Sequence, residues 1–573
     1  YFEEEIFPVV TPMPIDQPDN KPKLRNLTLH LAVKIKTPVK RRADKVRTVV
    51  IPFGISLPRF IRVDSTSGYH YILIEDILTL FADKMFPGEN IEETAVFRLT
   101  RNADLQIEDD LAVDLLSEIE HILDARKESL AVRLEIAKST SDSFLASLQK
   151  SFGVTMDQTY KIAGPIDLSM YMKLATIEGF EKHKFIELPP IHQVNRKISI
   201  FNSIAKKDII LIHPYDNYEP VIRLVREASD DPRVIAIKQI LYRTSKNSPI
   251  IAALINAANQ GKNVTVIVEL KARFDEARNL DWARKLEHAG VQVIYGIKNY
   301  KTHAKICLIV RRETQGIVRY IHYGTGNYNE QTAGIYSDVS FMTCKEELGA
   351  DASKFFNIIS GLSQSQDYNK ISAAPTNLRE KLLEMIDAEI ERKKQGQKAL
   401  IMAKFNSLTD PILMDALYRA SNEGVKIMLN IRGICCLRPG VKKLSENIQV
   451  TSIVDRFLEH ARVFYFHHGG EEKLFISSSD WMERNLDKRI ELLVPIDDIS
   501  SKNKLTKVLK TYFDDNVKAQ YLNSNGNYTK APKPTGKKKR IQSQLELYQN
   551  SLNDQKKVQK KKTAVFEPHT KSI

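Results

Sequence analysis

The apolar runs Val234-Ile235-Ala236-Ile237 and Ala399-Leu400-Ile401-Met402 each read as the opening strand of a buried sheet, and each is followed by the same series of signals. After the first come Ser248-Pro249, a helical stretch ending near Gly261, and the strand Val264-Thr265-Val266-Ile267-Val268-Glu269-Leu270. After the second come Asp410-Pro411, a helical stretch ending near Gly424, and the strand Val425-Lys426-Ile427-Met428-Leu429. An N-cap side chain, a proline in the first turn and a glycine at the exit bound both helices. The exits also align, Ala257-Ala258-Asn259-Gln260-Gly261 against Ala420-Ser421-Asn422-Glu423-Gly424. Short strands alternating with helices specify an α/β layer, and its recurrence specifies two such layers facing one pocket.

Upstream the pattern differs. Leu27-Thr28-Leu29-His30-Leu31-Ala32-Val33 reads as a strand, whereas Leu111, Leu115, Leu116, Ile119 and Ile122 fall at helical spacing over 108–126, with Glu120 and Asp124 on the polar side. That mixture predicts an α+β module, and Pro189-Pro190 marks the linker after it. The expected organisation is an α+β head over 1–190, α/β domains over 191–370 and 371–522, and a tail over 523–573.

A length of 573 residues suits about three or four domains. No apolar run is long enough to span a membrane, and Tyr1-Phe2-Glu3-Glu4-Glu5 has no signal-peptide character. Because no Met opens the chain, a fragment is expected. Cys307, Cys344, Cys435 and Cys436 lack zinc spacing and are too few for a disulfide framework, so cytosolic thiols and a cytoplasmic location follow. Most of the net charge of +14 lies in the tail, where twelve Lys and Arg face three Asp and Glu. That tail reads as disordered or weakly helical, able to touch a polyanion or, peripherally, the inner membrane face, with no specific nucleic acid implied.

The chemistry concentrates in two matching segments, Thr302-His303-Ala304-Lys305 and Glu459-His460-Ala461-Arg462. In a period-2 strand the histidine and the cation share a face, so an imidazole and a positive charge converge on one pocket. A neutral imidazole can attack phosphorus or move a proton near neutral pH, and Lys305 or Arg462 can hold the anionic oxygens. Upstream stand Arg273, 30 residues before His303, and Arg432, 28 before His460, as equivalents at strand ends, with Arg243 on the same rim. Their guanidinium forks suit phosphate. Gly324-Thr325-Gly326-Asn327-Tyr328-Asn329 offers a backbone nest, and Ser477-Ser478-Ser479-Asp480-Trp481 occupies the matching place in the second repeat. His467-His468-Gly469-Gly470 reads as a hairpin turn before it reads as a metal site. His213-Pro214-Tyr215 reads equally as a capped strand end or an anion guide.

On these residues, and on Leu57-Pro58-Arg59-Phe60, Phe97-Arg98-Leu99-Thr100-Arg101-Asn102-Ala103-Asp104, Leu241-Tyr242-Arg243-Thr244 and Glu269-Leu270-Lys271-Ala272-Arg273-Phe274-Asp275-Glu276, the chain resembles the long-chain bacterial polyphosphate kinases. The resemblance reaches to about residue 520. It implies an α+β head followed by duplicated phospholipase-D-like α/β catalytic domains, with the family's helical N-terminal domain missing here. It implies reversible transfer between ATP and polyphosphate, giving ADP, through a phosphohistidine on His303, with His460 as acid or base. Nucleotide contacts fall on Tyr336, Arg432 and His460, and the magnesium-associated arginines on Arg243 and Arg273, acting through bound phosphate. Mg2+ is the expected cofactor and a homo-oligomer, dimer or tetramer, the expected assembly. The competing activities are a phospholipase-D-type phosphodiesterase or nuclease and a non-catalytic polyanion binder. Val310 stands where a phospholipase D has Asp, and Arg462 replaces Lys, departures that suit a kinase better than an esterase.

Overall fold

The computed structural model describes residues 1–16, 22–37, 45–54, 57–102, 129–269, 276–297, 299–361, 367–532 and 539–562. The chain divides into two units, Tyr1–Phe185 and Ile186–Ile573, so the boundary precedes the prolines expected to mark it.

In the first unit Leu29, Leu31, Val33 and Ile35 alternate onto one core and Ala32 onto another, so the strand Leu29–Thr37 is buried on both faces. It begins two residues later than its apolar run suggests, because Leu27 has φ 57° and ends a turn. The strand lies inside a sheet of six, in the order Met13–Pro14, Lys45–Phe53, Leu29–Thr37, Asn90–Arg101, Ala131–Ala137, Thr159–Ile162. The helix Ile74–Leu80 packs on one core and Asp142–Phe152 on the other, which makes the unit α+β as expected. The helix expected over 108–126 lies outside the described residues.

The second unit holds the duplication. Its first half contains β1 (Ile209–His213), β2 (Val234–Leu241), β3 (Asn263–Val268), β4 (Gln292–Tyr295), β5 (Lys301–Thr302), β6 (Ile306–Glu313), β7 (Gly316–Gly324) and β8 (Tyr336–Thr343). The second repeats them as β9 (Ser372–Ala374), β10 (Leu400–Phe405), β11 (Lys426–Ile431), β12 (Ile448–Ile453), β13 (Leu458–Glu459), β14 (Val463–Phe466), β15 (Lys473–Ser477) and β16 (Arg489–Pro495). Helix α1 (Pro249–Asn259) is capped by Ser248 and α2 (Pro411–Asn422) by Asp410, each side chain accepting from the third amide of its helix. The duplicated α/β architecture is the one expected.

The sheets exchange an edge. The first runs β4-β3-β2-β6-β7-β8 and ends on β13 of the second half; the other begins on β5 of the first half and runs β16-β15-β14-β10-β11-β12. β1 and β9 lie beside β8 and β16. Consequently one apolar core joins the halves, with Ile240, Ile306 and Val339 from the first and Val463, Ile476 and Leu492 from the second.

The tail departs from expectation. Tyr528–Lys530 pairs with Ala519–Leu522 at the edge of the second sheet, and α3 (Ser543–Lys562) buries Leu547 in the joint core. Gln544, wholly buried, donates to the Glu459 carboxylate at 2.7 Å, and Ser551 donates to Asp216 at 2.5 Å. Lysine-rich composition reads as disordered or weakly helical, yet a few apolar and amide side chains at helical spacing suffice to dock a 20-residue helix. Leu547→Ala is expected to destabilise the second unit by about 2–4 kcal/mol, read as a lowered denaturant midpoint. No helix among the described residues is long and apolar enough to cross a membrane.

Candidate active site

The two His-x-cation segments are not within strands. Each is the link by which the chain leaves one sheet and enters the other, from β5 to β6 at His303-Ala304-Lys305 and from β13 to β14 at His460-Ala461-Arg462. The alternation nevertheless holds, because Ala304 and Ala461 turn into the joint core and leave the histidines and cations on the other side. The links are pinned by backbone bonds: His303 N and Ala304 N donate to Ile490 O at 3.0 and 2.9 Å, and His460 N donates to Ser337 O at 3.2 Å.

Pairing across the exchanged edges delivers a carboxylate to each imidazole. β5 lies parallel to β16 with Thr302 opposite Ile490, so the next residues, His303 and Glu491, adjoin. β13 lies parallel to β8 with Ser337 opposite Glu459, so His460 adjoins Asp338. His303 Nδ1 lies 2.8 and 3.0 Å from the two Glu491 oxygens; His460 Nδ1 lies 2.9 and 3.0 Å from those of Asp338. An ionised carboxylate only accepts, so it holds the proton on Nδ1; the lone pair is then on Nε2, which at His460 faces an Arg462 guanidinium nitrogen at 3.2 Å. Every histidine of the site therefore takes its orienting group from the opposite half.

The electrostatics follow from burial. Glu491 has no exposed side chain and is pushed up to about 7, although Lys305, Arg489 and Arg462 pull it down. Burial likewise pushes Lys305 down to about 7, and burial followed by Lys305, Arg489, Arg462 and His460 holds His303 well below the ordinary imidazole value. His460 is lowered by burial, against the opposing pull of Asp338. Both imidazoles are thus neutral near pH 7.

The cations differ. Lys305 Nζ donates to the His303 carbonyl and, among the described residues, forms no ion pair. Arg462 instead forks onto Asp480, at 3.2 and 3.0 Å, and donates to the His460 and Thr325 carbonyls at 2.8 and 3.3 Å. Arg432 follows β11 directly, and its Nε reaches the Glu459 carbonyl at 2.9 Å and Asn406 Oδ1 at 3.2 Å. By strand register its counterpart is Glu269, which follows β3 and accepts from Thr302 N at 2.6 Å. The equivalence of Arg273 with Arg432 is therefore corrected. Counting back from the histidines misses that the two loops differ in length, and Arg273 itself lies outside the described residues. Arg243 is exposed, with φ 54°, and its guanidinium lies 5.2 Å from the centre of the Tyr242 ring. Tyr242 meets His303 edge-on at 5.5 Å, and half-buried Tyr336 lies 5.4 Å from the His460 ring.

The glycine loop serves Asp338 more than it forms an open nest. Gly324 N and Thr325 N are spent on Lys305 O and Val339 O, and Thr325 Oγ1 donates to Asp338 at 2.6 Å. A Cβ on Gly326 would collide with the same carboxylate. His213 bonds Asp216 O and Ser340 Oγ, both at 2.9 Å, and so is a strand end, while His467-His468 occupies the turn between β14 and β15. Glu491, Asp338 and Arg489 escaped sequence reasoning; the only signal is that Glu491 and Asp338 occupy equivalent positions on β16 and β8, visible once the strands are paired.

A protein-built magnesium cage does not fit. Guanidinium has no lone pair to give, Asp338 and Glu491 are committed to histidines and Asp480 to Arg462, and no group of three His, Cys, Asp or Glu among the described residues could hold a metal.

Family models for the polyphosphate kinase middle domain, C-terminal domain 1 and C-terminal domain 2 match residues 1–174, 199–365 and 371–544. A polyphosphate kinase of Rhodopirellula baltica is 46% identical over 599 residues, covering 99% of this chain and 70% of its own. That of Halalkalibacterium halodurans is 45% identical over 554 residues, covering 96% and 78%. The crystal structure of polyphosphate kinase from Porphyromonas gingivalis matches with a TM-score of 0.83 at 31% identity, covering 97% of this chain and 82% of that one. With an α+β unit, two α/β halves that exchange an edge, and paired imidazoles between them, the chain belongs to the polyphosphate kinase family.

Proposed function

We propose that the chain catalyses reversible transfer of the terminal phosphoryl group of ATP to inorganic polyphosphate, through a phosphohistidine on His303 with His460 as acid and base. The carrying observation is the His303–Glu491 pair beside Lys305, a neutral nucleophile and a cation with no ion pair among the described residues, in one buried place. The Nε2 lone pair of His303 forms the N–P bond as the bridging P–O bond breaks, and its electrons leave on ADP. In the second step a terminal oxygen of polyphosphate attacks phosphorus and the N–P bond breaks, returning the lone pair to Nε2. His460 supplies or removes the proton on the departing or attacking phosphate oxygen. Lys305 holds the oxygens of the transferred group, where charge spreads in the loose transition state of phosphoryl transfer. Tyr336, Arg432 and His460 are assigned to the nucleotide, with Arg462 behind His460. Arg243 and Arg273 are assigned to phosphate oxygens. Magnesium would arrive on those oxygens with the nucleotide.

The test is incubation with gamma-labelled ATP and mass-spectrometric location of the label. Acid-labile, base-stable label on the peptide carrying His303 is the expected result. Label obtained only from phosphodiester substrates would make the chain a diesterase, and no nucleotide turnover under any condition would leave a polyanion binder.

The titrations give a second expectation. Below about 7 Glu491 takes up a proton and can donate to Nδ1, which moves the imidazole proton to Nε2, and above about 7 Lys305 loses its charge. The ratio kcat/KM should therefore fall on both sides of neutrality. Lys305→Arg keeps its charge to above about 12, so the alkaline limb alone should move upward in its pH profile.

A further inference from the structure

From the histidines onward the two halves keep one strand register into the loops behind the cations, and there they differ in charge. Ile306, three residues after His303, pairs with Tyr323, and Val463, three after His460, pairs with Ile476. Gly324 N donates to Lys305 O and Ser477 N to Arg462 O, at 2.9 and 3.1 Å, which confirms the register. Four residues beyond Tyr323 and Ile476 stand Asn327 and Asp480, so these two are structural counterparts.

Asp480 is nearly buried and spends both oxygens on Arg462, while Asn406 N donates to it at 2.7 Å. Asn327 is neutral, and its Oδ1 is buried without a hydrogen-bond partner. One half cancels its cation internally, and the other does not.

We propose that the Asn327/Asp480 difference selects which imidazole receives the phosphoryl group: Asp480 holds the Arg462 charge within its own half, and the neutral Asn327 leaves the Lys305 charge for phosphoryl oxygens beside His303. Asn327 and Asp480 are positioning residues, acting through the cations. A charge paired with a carboxylate in a dry site attracts a third group weakly, because the near dipole replaces the full monopole. This selection rests on the phosphohistidine reading and deepens it.

Asn327→Asp is isosteric and places a carboxylate where Asp480 stands in the other half, whereas Asn327→Ala removes the amide without adding charge. Initial rates of labelling from gamma-labelled ATP, with the labelled peptide identified, are compared in the full chain. The expected result is that N327D labels His303 at least about tenfold more slowly than wild type and N327A does so within about threefold, both retaining the wild-type circular dichroism spectrum. Labelling of His303 by N327D within about threefold of wild type, or equal slowing in N327A and N327D, overturns the proposal. Wild-type label away from His303 defeats the phosphohistidine reading itself, whereas label on His303 unaffected by N327D defeats the charge selection alone.

Discussion

Phosphoryl transfer by the His303→Ala variant is expected to fall on the order of 10⁴-fold, with no phosphoenzyme formed. Transfer between ATP and a phosphate chain brings two polyanions together, and a neutral nucleophile divides that encounter into two steps, each with one anion at phosphorus. Without the imidazole, Lys305 and the arginines still bind substrate, so kcat should carry the loss and KM for ATP should change little. The backbone of the link is held by Ile490 O, and Ala304 remains in the core, so an unchanged circular dichroism spectrum accompanies the loss. His460→Ala should lower kcat less, by about 10²- to 10³-fold, while still trapping label on His303. A series in which His460→Ala abolished labelling and His303→Ala did not would reverse the two roles.

Glu491→Gln is expected to cost about 10²- to 10⁴-fold in kcat, comparable to neutralising the carboxylate that orients a catalytic histidine elsewhere. The amide keeps the shape of the carboxyl group but can turn its NH₂ toward Nδ1, which places the imidazole proton on Nε2 and removes the attacking lone pair. Glu491 is supplied by β16 of the second half, 188 residues from His303 in sequence. The loss would therefore show in steady-state kinetics that neither half holds a working centre by itself. Asp338→Asn, the same change at His460, should disturb proton transfer and leave the labelled histidine unchanged. Measuring kcat and the label in both variants separates the two halves of the site.

Much of this was legible beforehand because the signals are local. The caps Ser248 and Asp410, the prolines after them and the glycines at the exits predicted α1 and α2 nearly to the residue. Recurrence of His303-Ala304-Lys305 as His460-Ala461-Arg462 identified the two imidazoles and their cations before any coordinate. Helix α3 was not legible, since lysine-rich composition outweighed the few residues, Gln544, Leu547 and Ser551, that tie it to the core.

The sequence by itself determined the strands and helices that open each repeat, the duplication and the histidine–cation pairs, because caps, periodicity and short motifs act within a few residues of chain. Only the tertiary structure decided which carboxylate faces which histidine, that Arg432 corresponds to Glu269, and that Asn327 stands in one half where Asp480 pairs with Arg462 in the other. The first depends on parallel pairing of β5 with β16 and of β13 with β8, contacts between residues more than a hundred positions apart, and the other two on the strand registers inside each half. Strand exchange between the sheets has no local signal, so the orienting groups could be found only by following the register across it.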